Sequence, residues 1–354
     1  MMKTNLMIVL AGLLASAPTL ASEWTDTVTL KGDLRYRHEL IDQDGQEIRN
    51  RQRLRARLSL IAEPEEHLQL GFRLVSGSDD PVSTNQTLDG AFSTKDIRLD
   101  RAFFAWNHID SGTRLSGGKM ANPFLQPAKT ELIWDGDLSP EGLALRHVFG
   151  AGNTKVMVNG AGLWLDERSS DVNAGLYGVQ GALVHRMDGL QVTIGGSYFD
   201  YSNLQGSLVD GEFFGNTNDA DAFLADFSLV EFFAEFGFEV IDRPALIFVD
   251  FVTNQQAETD HQGYLVGAVL GRVEKSGSWQ VHYNYREIQK DAVVGALTDS
   301  DFRGGGTDGK GHEIGFGCQL SGQSTLAMSA FINDLGLENS VSYTRLQADL
   351  IFKF

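Results

Sequence analysis

In the stretch RNRQRLRARLSLIAEP, arginine stands at every second position: Arg49, Arg51, Arg53, Arg55 and Arg57. A guanidinium is a permanent cation with a planar fork of donors that matches carboxylates and phosphates. A row of them is equipment for holding or steering charge, not for covalent chemistry. The positions between become apolar: Leu54, Ala56, Leu58 and Leu60. The segment VTLKGDLRYR repeats the pattern, with Arg35 and Arg37 alternating with Leu34 and Tyr36. In an extended chain this spacing puts all the arginines on one face, successive members roughly 7 Å apart.

Residues for bond-breaking chemistry are not arranged for it. The histidines are His38, His67, His108, His147, His185, His261, His282 and His312, and none sits beside a GxSxG-type nucleophile. GHEIGF has a His–Glu pair without the second histidine a zinc protease motif requires. There is no P-loop and no CxxC. DGDLSPE places oxygen donors at alternate positions, but its glycine and glutamate miss the spacing of a calcium loop. No catalytic residue, metal site or cofactor is therefore expected, and the chain does not read as an enzyme. The single Cys318 excludes an internal disulfide framework and reads as a small wall residue.

The formal net charge of −18 argues against a nucleic-acid partner, which requires a basic surface. Residues 1–21, MMKTNLMIVLAGLLASAPTLA, read as a cleaved secretory signal: a lysine, a short apolar core, then small residues. Only SEWTD separates that signal from the first strand, so no plug domain is expected. The expected domain organisation is a signal peptide over 1–21 and one β domain over 22–354.

What positions the arginines is a pattern repeated along the whole chain. In YTRLQADLIFKF, Leu346, Ala348, Leu350, Phe352 and Phe354 share one parity, while Arg345, Gln347, Asp349 and Lys353 share the other. SWQVHYNYRE, HLQLGFRL and TLAMSAFIN alternate likewise. Period two is the signature of a strand with one apolar face. The segments run about ten residues or more, the span a tilted strand needs across a bilayer. The polar parity carries too many full charges for a dry core. Sixteen candidates lie near 26–39, 48–62, 66–77, 95–108, 112–119, 142–150, 153–166, 173–187, 189–200, 221–240, 245–253, 263–275, 278–290, 311–321, 324–333 and 343–354. Short turns and long connections alternate strictly between them. The expected fold is all-β: a transmembrane antiparallel up-and-down β-barrel of about sixteen strands, closed so that lipid meets no unpaired backbone. Sixteen strands leave a lumen wide enough for water. Leucine then faces acyl chains and arginine faces the channel.

The segments GGKMANPF, ELIWDGDLSPEGLAL, DRPALIFVDFVTN, GSWQVHYNYREIQKDAVVGALTDSDFRGGGTDGKGHEIGFG and the terminal DLIFKF resemble those of bacterial outer-membrane porins of the "putative porin" family. The resemblance covers essentially the whole chain after the signal. It implies localisation in the outer membrane of a Gram-negative cell, among lipid and lipopolysaccharide, and passive diffusion of ions and small hydrophilic solutes. It implies that Phe354 belongs to the signal read by the barrel-assembly machinery. A homotrimer is one assembly it allows. It also implies an inward-folded third loop. Within 120–141, Glu131, Asp135, Asp137 and Glu141 then form the acidic side of a constriction opposite Arg35, Arg37, Arg49, Arg51, Arg53, Arg55 and Arg57. Opposed charge rows would set up a transverse field. The net negative charge favours cations if it lines the vestibule; the arginines favour anions at the narrowest point. Loop seven, TDSDFRGGGTDGKG, reads as a mobile external loop. An adhesion or partner-binding barrel is the alternative function, which loops of about twenty residues serve poorly.

Overall fold

The computed structural model describes residues 27–108, 111–206, 212–219 and 222–354; the expected signal peptide lies outside them. The described residues form seventeen strands: β1 (Val28–Gln43), β2 (Arg49–Glu65), β3 (Leu68–Ser76), β4 (Gln86–Thr87), β5 (Ile97–His108), β6 (Thr113–Lys119), β7 (Glu141–Phe149), β8 (Thr154–Asp166), β9 (Ala174–Met187), β10 (Leu190–Ser202), β11 (Phe227–Val240), β12 (Arg243–Asn254), β13 (Gln262–Gly271), β14 (Trp279–Ile288), β15 (Gly309–Gln319), β16 (Ser324–Leu335) and β17 (Val341–Lys353). All are antiparallel in one sheet, and β1 pairs with both β2 and β17, so the sheet closes. Sixteen strands make the barrel. The extra one, β4, is a two-residue piece of loop two that adds to β2 above the end of β3.

Every expected strand is present, and the differences lie at the ends. The candidate over 221–240 begins only at Phe227, and the one over 263–275 stops at Gly271. The strand begun at Arg243 follows Val240 directly, because Ile241 and Asp242 both adopt left-handed backbone (φ 50° and 57°). A two-residue turn with both central residues at positive φ matches the twist of the strands it joins.

Parity assigns the two faces as the sequence pattern requires. Leu34 and Leu346 are 41% and 45% exposed on the outside, whereas Arg37, Arg345 and Asp349 are 7% exposed or less. Aromatic residues mark both ends of the apolar belt. Trp106, Phe149 and Phe354 stand beside the short turns, and Trp164, Tyr177 and Tyr198 near the long loops, as expected at two membrane interfaces. Cys318 is half-buried in the wall of β15. Placing arginine at Leu346 will destabilise the barrel by about 2–4 kcal/mol, the cost of a cation against acyl chains. A urea titration in lipid vesicles checks this, with Leu346→Met expected to sit within about 1.5 kcal/mol of the parent.

The interior is not evenly polar. From β9 to β14 an apolar cluster gathers on the inward face toward the long loops: Leu176, Phe199, Tyr201, Leu229, Phe248, Val252, Leu265 and Ile288 are all buried. Loops three and seven fold onto this side and complete a dry core with Phe124, Leu132, Ile133, Trp134 and the run Ala292–Leu297. The arginine-rich side, formed by β1, β2, β3, β5 and β17, is left to face the remaining lumen.

Candidate functional site

Strand pairing makes the arginine wall. The register of β1 on β2 sets Arg35 opposite Arg55 and Arg37 opposite Arg53. Like charges directly opposite destabilise a sheet, so carboxylates must intervene. Asp33, opposite Arg57, takes Arg55 Nη2 at 2.8 Å and Arg57 Nε at 2.7 Å. Asp349, opposite Arg37 on β17, receives Arg37 Nε at 2.7 Å and lies 3.6 Å from Arg35. Glu39 is fully buried and is the hub above them. It accepts from Arg345 at 2.5 Å, from Arg51, and from Gln347 Nε2 at 3.2 Å, with Arg53 at 4.0 Å. The expected row of bare positive charge is thus a lattice in which carboxylates alternate with guanidiniums.

Loop three, over 120–140, does fold inward. It leaves the wall after β6, the shortest barrel strand, and crosses the lumen. Phe124 meets Phe199 edge-on at 4.8 Å between ring centroids, and Trp134 meets Phe199 at 5.2 Å. The Leu125 N–H donates to Gln180 at 2.7 Å, the Ala128 N–H to Glu235, and Thr130 Oγ1 to Asp250 at 3.1 Å. Strands β9, β11 and β12 therefore anchor it. It then returns to the arginine wall, where Asp137 lies 3.4 Å from Arg57 and accepts from Thr84 of loop two at 3.0 Å. Ser139 accepts from Arg101 Nε at 3.0 Å. Burial opposes ionisation of Asp137, but Arg55, Arg57 and Arg35 more than offset it and hold the carboxyl below its usual range.

Loop seven departs from expectation. It is not a mobile external segment: its backbone packs on loop three inside the barrel. The Asp135 N–H donates to Leu297 O at 2.9 Å, Thr298 Oγ1 to Leu132 O at 2.9 Å, and the Ser300 N–H to Asp135 Oδ2 at 2.9 Å. Asn216 of loop five clasps it from the other side, donating to Val293 O at 2.8 Å and accepting from the Gly295 N–H at 2.7 Å. The reason is the apolar run Ala292–Leu297, which is buried throughout. Beyond it, Asp301 reaches the arginine wall, 2.6 Å from Arg345 and 3.2 Å from Arg37. Burial would raise the Asp301 carboxyl; Arg345 and Arg37 overcome it and hold the group far below the carboxylate range.

The loop-three acids separate into distinct roles. Only Asp137 faces the arginines. Glu131 and Asp135 turn instead toward Asp299 of loop seven, with oxygens of all three within 4.8 Å of one another. They are the one group with metal-ligand spacing among the described residues. Backbone N–H groups already occupy them: Gly136 on Glu131 at 2.6 Å, Asp137 on Asp135 at 2.7 Å, Asp301 on Asp299 at 2.8 Å. Arg286 supplies one cation, 2.9 Å from Asp299. Burial, then mutual repulsion, pushes the Glu131 and Asp135 carboxyls well up and raises Asp299 as well. Glu141 is a correction. It is the first residue of β7, exposed and ion-paired with Lys119 at 2.8 Å, because β6–β7 pairing already begins at Lys119↔Glu141. It belongs to the wall, not to the folded-in loop. Arg49 likewise stands exposed at the outer end of β2.

Sequence reasoning did not single out Glu39, Arg345, Asp301 or Asp349 as site residues. Arg345 and Asp349 share the water-facing parity of the last strand, and closure of β17 on β1 is the signal that would have placed them beside Arg37 and Glu39.

These features define a closed sixteen-strand transmembrane barrel of the outer-membrane channel type, with a folded-in third loop. The chain belongs to the "putative porin" family, whose model matches residues 40–235 and 228–354. No curated protein sequence matches it. Among solved structures it is similar to OprB of Pseudomonas putida at high pH, at 11% identity over 95% of this chain and 96% of that one, with a TM-score of 0.63. It is similar to Salmonella typhi OmpF in complex with daunomycin, at 12% identity over 92% and 97%, with a TM-score of 0.60. A mutant of the Rh. blastica porin matches at 13% identity over 92% and 100%, with a TM-score of 0.53. At such identities the likeness is one of fold. Family and fold place the protein in the outer membrane and point to a channel rather than an enzyme.

Proposed function

We propose that this barrel is a porin that passes ions and small hydrophilic solutes by passive diffusion, with its selective section between the arginine wall and loops three and seven. One observation carries the reading. Loop three packs its apolar residues on the β9–β14 side and brings Asp137 to Arg57, so charged groups of both signs border the remaining lumen. Such a section admits hydrated, polar solutes and disfavours apolar ones. The seven predicted arginines divide here into Arg35, Arg37, Arg51, Arg53, Arg55 and Arg57 within the wall and Arg49 at its mouth. Asp137 faces them, whereas Glu131 and Asp135 hold the loops together. Adhesion is the weaker reading, since loops three and seven place much of their length inside the barrel. Phe354, on the outward parity and paired through its backbone with Gly32, is suited to the assembly signal of the last strand.

The test is a planar bilayer with a salt gradient. The refolded protein is expected to give stepwise conductance. Replacing Arg53, Arg55 and Arg57 together with glutamine leaves Asp33, Glu39 and Asp137 under-compensated, and the reversal potential should move toward the cation limit. An unmoved reversal potential would remove these arginines from the selective section.

A further inference from the structure

We infer that the outer vestibule contains a binding site for a small oxyanion-bearing solute, one carrying a carboxylate or a phosphate together with hydroxyl groups. This rests on the channel reading and adds the solute class to it. The site is a cavity of about 570 Å³ between the outer ends of β1, β2 and β17 and the turn of loop seven. Arg49, Arg51, Arg53, Arg303 and Arg345 all line it, against only two lining carboxylates, Glu47 and Asp80.

Their commitments differ. Arg51 and Arg345 are neutralised by Glu39, and Arg345 also by Asp301. Arg49 and Arg303 have no carboxylate at ion-pair distance among the described residues. Arg53 has only Glu39 at 4.0 Å. The Nε atoms of Arg53 and Arg303 are buried without a hydrogen-bond partner. Arg303 is held in place by its Nη1, which donates to Gly305 O at 2.7 Å, and by its own N–H on Asn333 at 2.9 Å. Leaving a buried charged donor unmet is costly, because it has lost water and gained nothing in exchange. An arriving oxyanion can accept from the terminal Nη groups of Arg53 on β2 and Arg303 on loop seven at once, and guanidinium forks suit its geometry. Hydroxyls of Ser83, Ser300 and Tyr343 on the same lining suit a hydroxylated body. Asp80, one of the two lining acids, already accepts the Val82 N–H at 3.0 Å. Below the cavity, the wall continues through Arg37, Arg35 and Arg55, so an anion released downward meets further guanidiniums.

The experiment uses full-length protein refolded in detergent and titrated calorimetrically with gluconate, glucose 6-phosphate and glucose, followed by bilayer recordings with the same solutes. Gluconate, glucose 6-phosphate or both should bind and reduce the channel current, while glucose should do neither; the two acids separate carboxylate from phosphate. Replacing Arg53 and Arg303 together with glutamine should weaken binding by about tenfold or more. Arg49→Gln, at an exposed position with little folding risk, should weaken it by a smaller factor. Conductance steps without binding of either acid overturn the site and leave the channel reading intact. So does binding that neither the double variant nor Arg49→Gln alters. Anion binding that the variants weaken, in protein that never conducts, upholds the site and overturns the channel reading alone.

Discussion

Replacing Glu39 with alanine will lower the unfolding free energy of the barrel by about 3–5 kcal/mol, the range for removing one partner of a buried ion pair. Glu39 is fully buried and holds Arg345, 3% exposed at its side chain, as well as Arg51 and Gln347. Alanine would leave Arg345 with Asp301 as its one carboxylate partner and the Ser300 carbonyl as a further acceptor, both from loop seven. The wall and the loop that closes on it would weaken together. Glu39→Gln keeps the hydrogen-bond acceptor while discarding its charge, so a smaller loss is expected. Arg51→Gln should cost least, because that side chain is 16% exposed and can be replaced by water. Urea unfolding in lipid vesicles measures all three. A Glu39→Ala midpoint equal to that of the parent would show that the network contributes nothing net. The same network tests the porin reading at a second level. A loosened Arg345, and with it a weaker hold on Asp301 of loop seven, should appear as a noisier and larger conductance.

The second large effect is a dependence of conductance on pH that arises at the contact of loops three and seven. Glu131, Asp135 and Asp299 are raised above ordinary carboxyl values by burial and by one another. The packed loops therefore bind more protons than the separated ones. The packing is at full strength below the ordinary carboxyl range near pH 4 and weakens as pH rises through the raised values. While one such carboxyl is protonated in the packed loops and ionised in the separated ones, a rise of one pH unit lowers the ratio of packed to separated loops by about tenfold. Single-channel conductance should therefore be lowest near pH 4 and rise as the pH is increased from there. Asp137 and Asp301 are displaced the other way and stay ionised across that window, so the charges on the arginine wall do not confound the measurement. Glu131→Gln removes one of the three acids while retaining an acceptor for the Gly136 N–H. It should hold the small-conductance state to higher pH. A variant whose conductance titrates like the parent would place the pH dependence elsewhere.

Both expectations come from contacts that join distant parts of the chain, and this divides what was legible from what was not. The barrel was written in the sequence. A wall between acyl chains and water imposes an apolar-polar choice at every residue, so Leu34–Arg35–Tyr36–Arg37 and Arg345–Leu346–Gln347 declare their faces without a partner in view. Strand number followed from alternating short and long connections, and the inward arginines from parity. Even Cys318 and Phe354 took the wall positions the pattern gave them.

What sits inside the wall was decided by tertiary structure. Closure of β17 on β1 brings Glu39 to Arg345 across 306 residues. It also brings Asp349 to Arg37, which with Asp33 and Glu39 of β1 and Asp301 of loop seven turns a row of guanidiniums into a neutralised lattice. Loop seven looked external because its TDSDFRGGGTDGKG segment is polar and glycine-rich; the Ala292–Leu297 run just before it carries the loop inward, and only the facing loop-three residues show what that run packs on. Period-two patterning reports the environment of each residue singly. Which loop fills the lumen, and which charge meets which, depends on pairs of segments far apart in sequence, and no local pattern encodes a pair.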